Sequence, residues 1–144
     1  MSIDVIRYQP SLDAAWDAFC ASAVNGTFLH TRRFLGYHGD RFADVSAVLM
    51  QGDAMVGVFP AAQARGDHSM VVSHPGITYG GIVHDGALSG GKMIEALEKL
   101  REHYCAAGYE RLRYKALPHV YQLRPSQDDL YALFRLGARR SRCD

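Results

Sequence analysis

Little in this 144-residue chain assigns it to a function class at sight. Its three cysteines, Cys20, Cys105 and Cys143, are odd in number, far apart and without a CxxC pair, so neither a disulfide framework nor a thiolate zinc site is implied. Cys20 and Cys105 sit on apolar helical faces and are expected to be buried thiols. Seven histidines form no HxxxH or HExxH pair, which leaves no expected metal site, and no GxSxG elbow is present to mark a serine hydrolase. Excess charge is lacking too. Sixteen Lys and Arg face fifteen Asp and Glu, so nothing draws the chain as a whole to DNA or to an anionic membrane. Two local basic groups, Arg111, Arg113 and Lys115 and then Arg139, Arg140 and Arg142, are expected to be solvated edges. No apolar run approaches the roughly 18 residues of a membrane span, and the opening MSIDVIRYQP has no basic flank followed by an apolar stretch. A cytoplasmic chain without a membrane span is expected.

What the chain does have is enough apolar content, 48%, for one core, with no repeat or linker dividing it. A single domain over residues 1–144 follows. The most informative stretch is Val45 to Ala62, whose two apolar runs flank Gly52-Asp53, a pair able to supply the positive φ angles of a tight hairpin. Before it, Ile3, Val5 and Tyr8 mark a short strand. Ser11 or Asp13 then caps a helix that carries Leu12, Trp16, Phe19, Cys20 and Ala23 on one stripe. Phe28 to Tyr37 gives a shorter helix. After the hairpin, Arg65-Gly66-Asp67 reads as a plain turn into a third antiparallel strand at Met70-Val71-Val72.

The Gly-rich passage 74–91 leads into the clearest helix, with Met93, Leu97, Leu100 and Tyr104 on one face, Glu95 placed to pair with Lys99, and Gly108 as its stop. Arg111 to Leu117 alternates as a strand, and Asp128 or Asp129 caps a last helix holding Leu130, Leu133, Phe134 and Leu136. The order is β-α-α-β-β-β-α-β-α, an α+β domain with a largely antiparallel mixed sheet and a crossover helix that makes one pair parallel.

That order, with NGTFLHTRRFLGYHGDRF at 25–42, SHPGITYGGIV at 73–83 and LRYKALPHVYQLRPSQDDLYALFRLGA at 112–138, resembles the GNAT acyltransferases, and within them the Fem-type branch. The resemblance implies N-acyl transfer, of an acetyl or aminoacyl group, to an amine acceptor such as a cell-wall or polysaccharide precursor. Nothing tightly bound is implied; acyl-CoA or aminoacyl-tRNA is the co-substrate. GNAT domains add two strands after the last helix and Fem-type chains add a second domain, so this chain is expected to be an N-terminal half. The alternative is then a non-catalytic half that binds acceptor or forms an interface with a second domain or subunit, a homodimer among them.

The resemblance also places the site. Ser89, Gly90, Gly91 and Lys92 open the long helix, where backbone N–H groups and the helix dipole suit the pyrophosphate of acyl-CoA. The family's Arg/Gln-x-x-Gly-x-Gly/Ala pattern is absent, Asp85 to Leu88 standing where its lead residue belongs, and a glycine-rich helix start is also common without a ligand. His74 and Tyr79 lie in the loop where a GNAT sheet splays. His74 has the pKa range of a general base and Tyr79 the hydroxyl of a proton donor; a turn contact beside Pro75 and a packed ring are the plainer accounts of the two. His30, Arg32, Arg33, Tyr37, His38 and Arg41 gather where the acceptor would bind, the arginine fork suiting carboxylate or phosphate; a charged, solvated helix face is the other account.

Overall fold

A computed structural model describes residues 2–26, 30–36, 42–74, 80–116 and 128–139, the Phe34 side chain excepted. Tyr37, His38, Arg41, Tyr79 and Cys143 lie outside the described residues.

In chain order the described elements are β1 (Ile3–Arg7), a 3-10 turn (Pro10–Leu12), α1 (Asp13–Ser22), α2 (Arg32–Leu35), β2 (Ala47–Gln51) and β3 (Ala54–Phe59). They continue as β4 (Ala62–Gln63), β5 (Met70–Val72), β6 (Val83–His84), α3 (Gly91–Ala106), β7 (Arg111–Arg113) and α4 (Asp128–Arg135). The hairpin read from the sequence is β2–β3, antiparallel from Ala47↔Phe59 to Gln51↔Ala54. At its turn only Gly52 takes a positive φ, 63°, and no non-glycine residue does, so Asp53 does not share that task. The register slips between Leu49 and Met50, leaving Val56 as the extra residue of a bulge beside Gly57. A Cβ on Gly57 would press on Leu49 at 3.0 Å and Leu88 at 3.2 Å, so the expected close approach is there.

Strand alternation sorts the core into two layers. Val48, Val58 and Val83 face α1 and bury Trp16, Cys20 and Ala23. On the other side, Leu49, Phe59 and Val71 meet Met93, Ala96, Leu97, Leu100 and Tyr104 of α3. Position 105 falls one step, about 100°, beyond that stripe. Cys105 is therefore exposed rather than buried, whereas Cys20 is buried as expected and its thiol is pushed up to about 12, chiefly by burial. Two other local expectations fail. Leu12, not Ser11 or Asp13, is the N-cap of α1, and Asp13 instead opens the helix and accepts a hydrogen bond from the Tyr8 hydroxyl. Glu95 accepts the Ile3 N–H at 2.6 Å, and no ion pair joins it to Lys99 among the described residues.

The larger correction concerns the third antiparallel strand. β5 pairs with β4 and β7, not with β3, and the strands form two hydrogen-bonded sets, β1-β2-β3-β6 and β4-β5-β7. Pro60 is the cause, since a residue without an N–H interrupts the ladder between β3 and β4. The two sets remain one bent surface because residues 43–47 run alongside the whole of 59–63. The Val45 N–H donates to Ala61 O and the Gln63 N–H to Ala43 O, both at 2.9 Å, and Asp44 bridges Ala62.

A second interruption follows from the first. Ten residues lie between Val72 and Val83, but only three lie between their partners Ala62 and Val58. The surplus, termed the excursion, spans Ser73 to Gly80. There the backbones cross so closely that a Cβ on Gly80 would lie 2.6 Å from Ser73 O and 2.7 Å from Ser73 Cβ. The end of β7 seals the crossing. The Ser73 N–H donates to Arg113 O at 2.9 Å, the Lys115 N–H to Ser73 Oγ at 2.6 Å, and the Gly80 N–H to Lys115 O at 2.9 Å. β5 and β7 are parallel, as the crossover helix α3 requires.

The next residue, Tyr114, holds α4. Its hydroxyl donates to Asp129 Oδ2 and accepts the Ile82 N–H, both at 2.8 Å, while its ring stacks on Phe59 with centroids 6.0 Å apart. Burial raises the Asp129 carboxyl above the usual carboxylate range, against the hydrogen bonds from Tyr114 and from the Leu130 and Asp129 backbone N–H groups that favour the anion.

Two outcomes are expected. Replacing Gly80 with Ala should destabilise the fold by roughly 2–4 kcal/mol in urea, because backbone rather than a movable side chain obstructs the Cβ. A loss below about 0.5 kcal/mol would contradict the crossing. For Asp129, the folded state holds its proton more tightly than the unfolded chain. Its contribution to stability is thus greatest below the unfolded pKa and falls as pH rises through the folded one. Asp129→Asn keeps an acceptor for Tyr114 and should flatten that part of the stability profile just above the usual carboxylate range. Identical profiles for the two proteins would refute the assignment.

Candidate functional site

The residues at the two ends of the excursion, Ser73-His74 and Gly80, are enclosed, and His30, Phe42 and Asp44 meet them from the segments before α2 and before β2. His74 is 2% exposed, its backbone N–H donates to Pro60 O at 3.2 Å, and its ring meets Phe42 edge to face at 5.4 Å. Its Nε2 faces Asp44 Oδ2 at 3.9 Å. Asp44 is itself fixed on three sides: its backbone bridges Ala62, Oδ1 accepts the Ser46 N–H at 2.9 Å, and Oδ2 accepts Arg32 Nη2 at 3.0 Å. The carboxylate oxygen nearest the imidazole is thus the one already bound to Arg32.

Arg32 ties this group to the helical layer. Its guanidinium lies over the Tyr8 ring at 3.6 Å and 5.0 Å from the Trp16 ring, donates from Nη1 to Ser46 Oγ at 3.2 Å, and approaches Asp13 at 3.9 Å. Its backbone N–H donates to Asp17 Oδ1 at 2.6 Å. Arg32 was expected as an acceptor contact; its planar cation lies against two rings and a carboxylate inside the protein, where lysine would not substitute for it. Arg33, the neighbour on α2, is exposed.

His30, expected with Arg32 as an acceptor contact, is enclosed. It is 0% exposed, and its Nε2 lies 3.2 Å from Gly80 O, so that nitrogen carries the proton and donates to the carbonyl. His30 O accepts from Trp16 Nε1 at 2.7 Å, with Cys20 Sγ at 3.7 Å. The residue is a tie between the α1–α2 connection and the return of the excursion. Asn25 makes a parallel tie: its side chain donates to Ile82 O at 2.8 Å and accepts the His84 N–H at 2.9 Å. Neither tie has a sequence signal, because both partners are main-chain groups 50 or more residues away.

Ser89, Gly90, Gly91 and Lys92 stand apart, at the surface-facing start of α3. Gly90 is the N-cap with φ 54°, no side chain caps the helix, and a Cβ at Gly90 or Gly91 would meet open space. The Lys92 and Met93 N–H groups turn back onto Ser89 O and Gly90 O at 3.1 Å. Upstream, the Gly86 N–H is taken by His84 Nδ1 and the Ala87 N–H by Asp85 Oδ1, both at 3.1 Å. Open space therefore lies beside Gly90-Gly91, while the preceding turn satisfies its own donors and carries a carboxylate. Lys115, at the end of β7, is half-buried with its ammonium pKa lowered, by burial first and by Arg113 second. No group of three metal-binding side chains occurs among the described residues, and no helix among them is long and apolar enough to cross a membrane.

No protein-family model matches the chain, and no curated protein does either. Among solved structures it is similar to an aminoglycoside acetyltransferase from an uncultured soil metagenomic sample, with a TM-score of 0.58 and 16% identity. The match covers 100% of this chain and 96% of that one. At this identity the likeness is one of architecture, and it places the chain in the GNAT-like mixed α+β fold.

Proposed function

We propose that the chain is an N-acyltransferase that moves an acyl group from a thioester donor of the acyl-CoA type to an amine of a small acceptor. The reading rests on the shared fold and on one observation, His74 held by Asp44 and Phe42 at the root of the excursion that breaks the strand between β5 and β6. In the GNAT arrangement, that break is where acyl donor and acceptor meet. The acceptor nitrogen attacks the thioester carbon, the C–N bond forms, the C–S bond breaks, and the thiolate leaves to take up a proton. The proton lost by the amine passes to His74. Because His74 is buried, that transfer runs through an intervening water. The open face above Gly90-Gly91, with Lys92 beside it, suits the donor's pyrophosphate. Near-neutral charge favours acyl-CoA over aminoacyl-tRNA, whose long phosphate track needs a local cation excess. An acceptor rich in amines, as in the aminoglycoside enzyme of similar fold, is the first class to try.

A second reading follows the Fem-type resemblance: a half that holds acceptor while a second domain or subunit completes the donor site. It is favoured by α4, which exposes Leu130, Tyr131 and, at 78%, Phe134. Calorimetry with acetyl-CoA separates the two readings, since saturable binding by the chain alone supports the first. With thiol release as the assay and a panel of amines including an aminoglycoside, His74→Gln should lower kcat/KM by roughly 100-fold or more. A variant as active as the parent would remove His74 from the chemistry.

A further inference from the structure

We propose that Asp44 is the positioning residue for His74 and that Arg32 moderates it, so that the carboxylate and the guanidinium act on the imidazole in opposite directions. The inference rests on the reading of His74 as general base. It deepens that reading by naming the groups that set when the base is free to accept a proton.

The geometry carries the argument. Asp44 has little freedom: its backbone is in a bridge with Ala62, and its two oxygens are taken by the Ser46 N–H and by Arg32. The oxygen that Arg32 holds at 3.0 Å is the one that faces His74 Nε2 at 3.9 Å. One anionic oxygen is thus shared between a permanent cation and a titratable one. At 3.9 Å the attraction for a charged imidazole is Coulombic and strengthens as the ring gains its proton, while Arg32, bound to the same oxygen, offsets part of it.

Other charged groups face this cluster from each element packed on it. On α1, Asp13 approaches the Arg32 Nε and Asp17 accepts the Arg32 backbone N–H. From the turn after β4, Arg65 lies over the Phe42 ring, 5.0 Å from its centroid, and that ring is the one touching His74. From β7, Lys115 binds the neighbouring Ser73 through its backbone N–H. From α3, the Tyr104 hydroxyl donates to Val45 O at 2.7 Å, next to Asp44. Asp44 is the acidic group paired with His74 among the described residues; the rest act on it through Arg32, Phe42 or the backbone.

Histidine-labelled protein titrated by NMR gives the direct reading, with the pH profile of kcat/KM for acetyl transfer beside it. Asp44→Asn should lower the His74 midpoint by about 0.5–1.5 units and move the acid limb of the rate profile the same way, with kcat falling more than KM rises. Asp44→Glu, which keeps the carboxylate, should bring the midpoint most of the way back. Arg32→Gln should raise it. If that variant does not fold, Arg32→Lys, which keeps the charge but loses the planar fork that lies over Tyr8 and Trp16 and bonds Asp44, should raise it by a smaller amount. A midpoint unmoved by Asp44→Asn, or shifts of one sign for Asp44→Asn and Arg32→Gln, would overturn the inference as no more than general loosening. Those results with His74→Gln inactive defeat the role of Asp44 alone. An active His74→Gln defeats the base itself, and with it the role given to Asp44.

Discussion

Gly80 lies against Ser73 with no room for a side-chain atom between them, and the rest of the sheet is arranged around that contact. Because Pro60 cannot donate, the partner strand breaks into β3 and β4. β5 then registers with β4 and β6 with β3, with ten residues between Val72 and Val83 against three between their partners. Without the crossing, the two sets of strands would have unpaired edges at their junction. With it, Arg113, Lys115 and Ser73 supply the hydrogen bonds that the interrupted ladder lacks. The α3 crossover delivers β7 in the parallel sense needed to make those bonds.

Polar groups then fasten the helical layer to the same junction. His30 and Asn25 reach main-chain atoms on the returning strand, and Arg32 binds the leading strand through Asp44 and Ser46 while lying on Tyr8 and Trp16. Each is enclosed, so each would leave a costly unsatisfied partner if removed. On the opposite side, Tyr114 and Asp129 join α4 to Ile82. The outcome is an excursion whose two ends are rigid and whose root carries a histidine next to a fixed carboxylate. Catalytic positioning asks for that kind of support.

The parts of this arrangement governed by local pattern were legible in the amino acids. Gly52 between two apolar runs marked the hairpin, and the Met93, Leu97, Leu100, Tyr104 spacing marked the buried face of α3. The GNAT-like order of elements followed from those two and agrees with the solved structure of similar fold. What escaped was decided by distant partners. Met70-Val71-Val72 read correctly as a strand, but nothing local says that Pro60 would hand its pairing to β4. His30 and Arg32 look like solvated helix residues until Gly80 O and Asp44 are brought to them by the sheet. Ser46 and Asp44, which build the site, sit just ahead of β2 and had no motif to draw notice. A buried polar residue is recognised by its partner, and chain spacing does not reveal partners 12 or 50 residues away.

The central claim is that the strand closes at Ser73, Gly80 and Lys115 to present an excursion for acyl transfer. Residue-resolved amide exchange, followed by NMR with and without acetyl-CoA, tests it most directly. The expected result is slow exchange at the Gly80 and Lys115 amides in the free protein, comparable to β2 and β3, with further slowing around the excursion when acetyl-CoA is added. Exchange of those two amides at the rate of an open loop, unaltered by acetyl-CoA, would contradict both the closure and the use assigned to it.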